Sequence, residues 1–131
     1  MPYITSISRK PMTLQIKHGK EHSRLISNWL DAQYFAYDST GQKYVKPGLV
    51  VGQDTLTHKY VPYHAVAGTY GSYCATPVGV IDELCDLTLG DYAVVPIYHG
   101  QLIEAFCYEY GSATGTISAA VKTALKDINW V

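Results

Sequence analysis

The stretch YAVVPIYHGQLIEAFCY, residues 92–108, decides the fold class of this chain. Its two halves, Tyr92–Tyr98 and Leu102–Tyr108, are dense in β-branched and aromatic residues, which favour strands. The spacer His99-Gly100 has the form of a tight two-residue hairpin, because glycine adopts the positive φ that such a turn needs. Apolar side chains fall on both faces of each predicted strand. Burial on two faces favours a small closed or sandwiched sheet over an open one.

The remaining pattern adds short strands and one helix. Strand-like runs at 44–45, 49–51, 59–61 and 78–81 are separated by residues typical of turns, Pro47-Gly48 among them. A helix is predicted near the C-terminus, with Thr114 or Thr116 as its N-cap. It rests on apolar residues at helical spacing: Ile117, Ala120, Val121, Ala124 and Leu125. The predicted fold is mainly β, a small β-barrel-like domain with one C-terminal α-helix.

Composition restricts the classes of function. A chain of 131 residues has the length of one domain, and 47% apolar residues exclude intrinsic disorder. Only 16% of the residues are charged, which suits a protein whose surfaces meet other protein. The net charge of −1 argues against nucleic acid as a partner. No stretch is predicted to cross a membrane. No signal peptide is expected either, because Met1-Pro2-Tyr3-Ile4 does not form a charged leader followed by an apolar run.

The charges are unevenly distributed. Residues 1–24 carry five basic residues and the single acid Glu21, which makes +4, and residues 25–131 carry −5. The basic residues are Arg9, Lys10, Lys17, Lys20 and Arg24. We therefore divide the chain into an extended N-terminal arm, 1–24, and a β-rich domain, 25–131. The arm is expected to reach an acidic surface, such as another copy of the chain, and the alternative is a solvated tail.

Residues with catalytic or metal-binding chemistry occur without a recognisable motif. Cys74, Cys85 and Cys107 lack a CxxC spacing, so three buried and unpaired thiols are expected. A cysteine–histidine hydrolase would draw on Cys74, Cys107, His64 and His99, but no nucleophile motif surrounds them. His18 and His22 have a metal-ligand spacing, and Asp82, Glu83, Asp86 and Asp91 form an acidic group without the order of a calcium loop. No enzyme activity, metal or cofactor is predicted.

Tyrosines dominate the aromatic residues, with twelve Tyr against two Phe and two Trp. Four of them, Tyr60, Tyr63, Tyr70 and Tyr73, lie in one stretch. They could stack on bases or sugars, although such residues more often fill sheet faces or subunit contacts. Trp130, close to the C-terminus, is a further aromatic that either packs on the domain or anchors a subunit contact.

Three stretches in order resemble a known family. They are KPGLVVG at 46–52, TPVGVIDE at 76–83 and VVPIYHGQLIE at 94–104. This series is similar to the head decoration proteins of tailed bacteriophages, the lambda-type cement proteins. The resemblance covers about residues 44–109. It implies a β-tulip domain that sits as a homotrimer on the outer surface of the expanded capsid, at three-fold and quasi-three-fold positions.

The resemblance also implies partners and residue roles. The partners would be the major capsid protein and further copies of the chain, and the location would be the virion after synthesis in the host cytoplasm. Pro47-Gly48 would bend the chain at a strand start, Gly79 would allow close backbone approach, and His99-Gly100 would close a hairpin. The capsid or the next subunit would be contacted by Arg9, Lys10, Lys17 and Lys20. The alternative function is a small β-domain that binds a ligand or polymer through the four tyrosines, such as a tail or spike accessory protein.

Overall fold

The structure, a computed structural model, describes residues 17–131 and confirms the predicted fold class. It is mainly β, with 34% strand and 11% helix, and has a curled half-barrel sheet and one short C-terminal helix, α1 (Ala119–Ala124). The strands are β1 (Lys17–Arg24), β2 (Asn28–Leu30), β3 (Tyr44–Val45), β4 (Val50–Gln53), β5 (Tyr60–Pro62), β6 (Pro77–Val80), β7 (Cys85–Asp86), β8 (Tyr92–Val94), β9 (Ile97–Leu102) and β10 (Ile128–Trp130).

One bent ladder explains why the sheet curls. The strand order is β1-β9-β6-β4-β5-β2-β8, with β10 parallel to β9, and β3 pairs separately with β7. Arg24 on β1 pairs with Ile97 on β9, and the backbone N–H of Leu25 donates to the carbonyl of Pro96 at 2.8 Å. The pairing then continues between β2 and β8. Because β2 also borders β5 and β9 also borders β6, this ladder brings the two ends of the sheet together.

The central strand β4 is buried on both faces, as its apolar run predicts. Val50 faces a core cluster that includes Val121 of α1, whereas Val51 faces a second cluster that includes Leu30 and Phe35. Both valines have no exposed surface. Side chains on opposite faces of β4 therefore pack against two different core clusters, so both faces of the sheet are covered at this strand.

The predicted hairpin at His99-Gly100 is wrong. Both residues lie inside the continuous strand β9, where His99 pairs with Ser23 of β1 and Gly100 with Ile128 of β10. The chain instead bends at Val95-Pro96, between β8 and β9. Gly100 has φ 137°, a conformation that glycine reaches easily, and it uses that freedom within a strand and not in a turn.

The C-terminal helix forms as predicted but is shorter and has a different cap. Ser118, and not Thr114 or Thr116, precedes the helix and accepts a hydrogen bond from the N–H of Val121. Val121 and Leu125 are buried against the sheet. The chain then enters β10, and its last residue is fixed by a hydrogen bond from the N–H of Val131 to the carbonyl of Leu102.

Candidate functional site

The three stretches that carry the family resemblance fold into adjacent strands. The 94–104 stretch contains β9, the 76–83 stretch contains β6, and the 46–52 stretch contains most of β4. These are neighbours in the order β9-β6-β4, where Val80 pairs with Ile97 on one side and Val50 on the other. Stretches that are separated by as many as 41 residues, 53–93, therefore form one structural unit.

Pro47-Gly48 bends the chain just before β4, as predicted. Gly48 has φ 103° and donates its backbone N–H to the carbonyl of Ile81 at 2.7 Å. A Cβ at this position would lie 2.2 Å from the carbonyl oxygen of Phe106. The bend thus depends both on a backbone conformation that favours glycine and on the absence of a side chain.

Gly79 allows the close approach that was predicted for it. A Cβ on Gly79 would lie 2.9 Å from the carbonyl oxygen of Ile97 and 3.0 Å from the Cβ of Pro96. The carbonyl belongs to β9, the neighbouring strand, and the proline to the bend that precedes it. The glycine therefore lets the bend of the ladder pack directly on β6.

The four tyrosines predicted as a possible binding surface do not come together as one. Tyr60 is 1% exposed and Tyr63 is 3% exposed, and the two belong to different core clusters. The hydroxyl of Tyr60 donates to the carbonyl of Ile26 at 2.6 Å, which satisfies it within the core. Tyr70 is half-buried and Tyr73 is exposed. These four residues therefore cannot line a single pocket.

Tyr70 instead joins an aromatic cluster that sequence reasoning missed. Its ring contacts Tyr34, His64 and Tyr110 edge to face, with centroids 5.9, 5.6 and 5.7 Å away. Tyr110 also contacts Phe35 at 4.8 Å. The cluster fastens the loop after β5 to the rest of the domain. No local pattern connects Tyr34, Tyr70 and Tyr110, because they come from three separate parts of the chain.

The predicted arm is only partly described by the structure. Arg9 and Lys10 lie outside the described residues. Lys17 and Lys20 belong to β1, so residues 17–24 are part of the sheet and the domain extends at least to residue 17. Within 17–131, β9 is the only strand that pairs with β1. The rest of the predicted arm therefore precedes a strand that is paired, among residues 17–131, on one side only.

Arg24, the last residue of β1, fixes the bend of the ladder. Its guanidinium donates two hydrogen bonds to the carboxylate of Asp82, both at 2.8 Å, and a third to the carbonyl of Val95 at 3.0 Å. The hydrogen bond to Asp82 is the main cause that raises the pKa of Arg24. A planar guanidinium suits this paired geometry better than an ammonium group would.

The acidic residues singled out by sequence gather around β8. Burial of its hydroxyl raises the pKa of Tyr92 on β8, and the charges of Glu83 and Asp86 raise this pKa further. Asp91 accepts hydrogen bonds from the N–H of Ala32 and from Lys59, both at 2.8 Å. Among the described residues, no group of three or more His, Cys, Asp or Glu side chains is placed to hold a metal ion.

The cysteines are free and buried, as predicted. Burial raises the pKa of Cys85 and of Cys107 to about 12, so neither carries a thiolate near neutral pH. The thiol of Cys74 donates to the carbonyl of Val66, and the ring of His64 accepts from the backbone N–H of Val66. In the described part of the chain, no hydrogen bond joins a thiol to a histidine, as a cysteine nucleophile would require.

Two shallow grooves lie away from β8. One, of about 260 Å³, is lined by Tyr44, Lys46, Tyr108 and Tyr110 among others, and the ammonium of Lys46 lies 5.1 Å from the ring centre of Tyr108. The other, of about 220 Å³, lies between β6 and the end of α1. Both are smaller than most ligand pockets, which enclose roughly 300–1,000 Å³. Trp130 packs against the α1 side of the core, and its buried indole N–H has no hydrogen-bond partner among residues 17–131.

Comparison of the chain with family models, with curated proteins and with solved structures finds no match. No helix among residues 17–131 is long and apolar enough to cross a bilayer.

Proposed function

We propose that this protein is a capsid decoration protein of a tailed bacteriophage. It binds the outer surface of the expanded head at three-fold and quasi-three-fold positions and stabilises the shell against the pressure of packaged DNA. Its partners are the major capsid protein and two further copies of itself, and it has no enzymatic activity. It acts in the virion.

The observation that carries this proposal is the adjacency of β9, β6 and β4. The three stretches that resemble the cement proteins form these strands, and glycine is required at Gly48 and Gly79 of those stretches by close backbone contacts. Short motifs that matched the family by chance would have no reason to lie on adjacent strands of one sheet. The resemblance thus coincides with the structural centre of the domain.

Features of the surface agree with a role in assembly. Large apolar side chains such as Ile26, Trp29 and Leu89 are exposed, and β1, next to a basic segment, has one edge to which no strand of residues 17–131 is paired. Protein partners cover surfaces of this kind by apolar contact and by pairing with strand edges. Repeated on many sites of one shell, individually weak contacts add up to a stable coat.

Co-sedimentation with purified heads tests the proposal. We expect the protein to sediment with expanded heads, to saturate at three copies per three-fold site, and to leave unexpanded heads uncoated. A variant without residues 2–16 is expected to lose most of this binding while its domain stays folded. The truncation stops at residue 16 because residues 17–24 form β1 and are paired with β9. Failure of the full chain to bind expanded heads would refute the proposal.

A further inference from the structure

Three strongly exposed apolar side chains border β2 and β8. Ile26, just before β2, is 85% exposed, Trp29 at the centre of β2 is 51% exposed, and Leu89 in the turn before β8 is fully exposed. Trp29 pairs across the ladder with Ala93, which is also exposed. We call these four residues the β2–β8 surface. Trp29 and Ala93 are neighbours on one face of the ladder, with Ile26 beyond one end of it and Leu89 beyond the other. Exposed large apolar side chains in one region of a small domain are typical of a contact surface.

The β2–β8 surface also ends in an open edge. β8 is the last strand in the sheet order, and in residues 17–131 only β2 pairs with it. An edge strand presents unpaired backbone groups that another extended segment can pair with. A partner that lies along this surface therefore gains apolar contact and main-chain hydrogen bonds together.

The surroundings of this edge are acidic. Asp82, Glu83 and Asp86 come from the segment beside β8, and Asp91 directly precedes it. Three cations lie near these carboxylates: Arg24 binds Asp82, Lys59 binds Asp91, and Lys43 donates to the carbonyl of Ala32, whose N–H binds Asp91. The balance is −1, so an extended partner with basic and apolar side chains complements the surface.

The chain itself contains such a segment. Residues 1–16 include Arg9 and Lys10 and no acid, together with apolar residues at Tyr3, Ile4, Ile7, Met12, Leu14 and Ile16. Fully extended, sixteen residues span about 50 Å. A domain of this length has a radius of gyration of only about 14 Å, so the segment is long enough to reach a neighbouring copy.

The position of Lys17 favours a neighbouring copy over the same copy. Lys17 pairs with Leu102, at the far end of β1 from the bend at Leu25. About 26 Å of strand separates the two points, at about 3.3 Å per residue. To reach its own β8, the segment would have to reverse and spend about half of its length returning along β1.

We propose that residues 2–16 of one copy lie along the β2–β8 surface of a second copy, with Arg9 and Lys10 near the carboxylates that flank β8. The contact joins two different surfaces head to tail, and contacts of this kind can close into a ring. Under the proposed function the ring has three copies. This inference deepens the proposed function, because it names the partner of the N-terminal segment as the adjacent subunit.

A complementation experiment tests the exchange. One variant lacks residues 2–16 and keeps the β2–β8 surface, and the other carries Trp29→Glu and keeps the segment. Val66→Glu is the matched control, since Val66 is 62% exposed in the loop after β5, away from the β2–β8 surface. Mass is measured by light scattering after size exclusion, at the highest concentration that remains soluble. Circular dichroism checks that each variant is folded.

We expect the full chain and Val66→Glu to have three times the monomer mass, and each of the two disabled variants to be monomeric. An equimolar mixture of the two should give a dimer, because one intact segment then meets one intact surface. A monomeric full chain, an oligomer formed without residues 2–16, or a mixture that stays monomeric would overturn the exchange. Head binding is measured separately: a trimer that ignores expanded heads refutes decoration but leaves the exchange standing, and a monomer that coats them does the reverse.

Discussion

Replacing Gly48 by alanine tests how the bend before β4 is built. The glycine has φ 103°, and the Cβ of an alanine would lie 2.2 Å from the carbonyl oxygen of Phe106 and 3.1 Å from the Cα of Cys107. Both neighbours are backbone atoms, so no side chain can rotate away to make room. The segment around Phe106 would have to move by about 1 Å, to restore an ordinary contact distance.

Two physical costs add up in this variant. The left-handed backbone conformation costs alanine about 1–2 kcal/mol. Overpacking against a backbone that must shift costs about 1–3 kcal/mol more. We therefore expect Gly48→Ala to lower the free energy of unfolding by about 2–5 kcal/mol, a large part of the roughly 5–15 kcal/mol typical of a domain.

Gly41→Ala separates the two costs. Gly41 has φ 80°, and no atom lies within 4 Å of the position that the Cβ of an alanine would occupy. This control carries the conformational cost alone. Urea unfolding should show the same dependence of the free energy of unfolding on urea concentration in both variants. The free energy of unfolding of Gly48→Ala should be lower than that of Gly41→Ala by at least about 1 kcal/mol. Equal losses in the two variants would refute the close contact between Gly48 and Phe106.

Three further predictions concern buried or charged groups. A thiol reagent at neutral pH should label none of the three cysteines in the folded protein and all three in denaturant, because all three are buried. Burial also raises the pKa of Cys85 and Cys107 to about 12. Rapid labelling of one thiol in the folded protein would contradict this. Burial acts to raise the pKa of Asp91, but hydrogen bonds from Ala32 and Lys59 hold it below its usual value, so its charge stabilises the fold above about pH 4 and this contribution is lost as pH falls through the lowered pKa. Asp91→Asn should therefore lower the free energy of unfolding by up to about 1 kcal/mol at neutral pH and by progressively less in acid. An equal loss at neutral and at acidic pH, measured by urea unfolding, would count against the ion pair. Lys43→Met should lower the free energy of unfolding by about 1–3 kcal/mol, because the buried ammonium of Lys43 donates to the carbonyl of Ala32 at 2.8 Å. Tyr37→Leu should lower it by only about 0.5–1 kcal/mol, because this variant removes only the ring that lies 4.3 Å from that ammonium. Equal thermal midpoints for the two variants would contradict this order.

The fold class could be predicted because apolar residues along β4 are buried on both faces of the sheet. The roles of Pro47-Gly48 and Gly79 could also be predicted, since glycine beside proline or inside a strand has few other structural reasons. The stretch around β2 is ambiguous in sequence, because dense apolar and aromatic residues over 25–37 suit either a helix or a strand. In the structure the strand Asn28–Leu30 comes first and a 3₁₀ turn, Ala32–Tyr34, follows.

Sequence patterns mislead where tertiary contacts decide. His99-Gly100 has the composition of a turn, but β1 and β10 pair with it from both sides and keep it in a strand. Tyr60 and Tyr63 are close neighbours in the chain, but their side chains are buried in different clusters. The approach of Arg24 to Asp82 and the gathering of acids around β8 depend on the bend of the ladder, which no local pattern indicates.

Electron cryomicroscopy of expanded heads incubated with excess protein tests the assignment as a decoration protein most directly. We predict additional density on the outer surface at every three-fold and quasi-three-fold position, with the size of three domains and a curled sheet that fits β4, β6 and β9. Unexpanded heads treated in the same way should show a bare surface. Expanded heads that remain bare at saturating protein concentration would contradict the assignment.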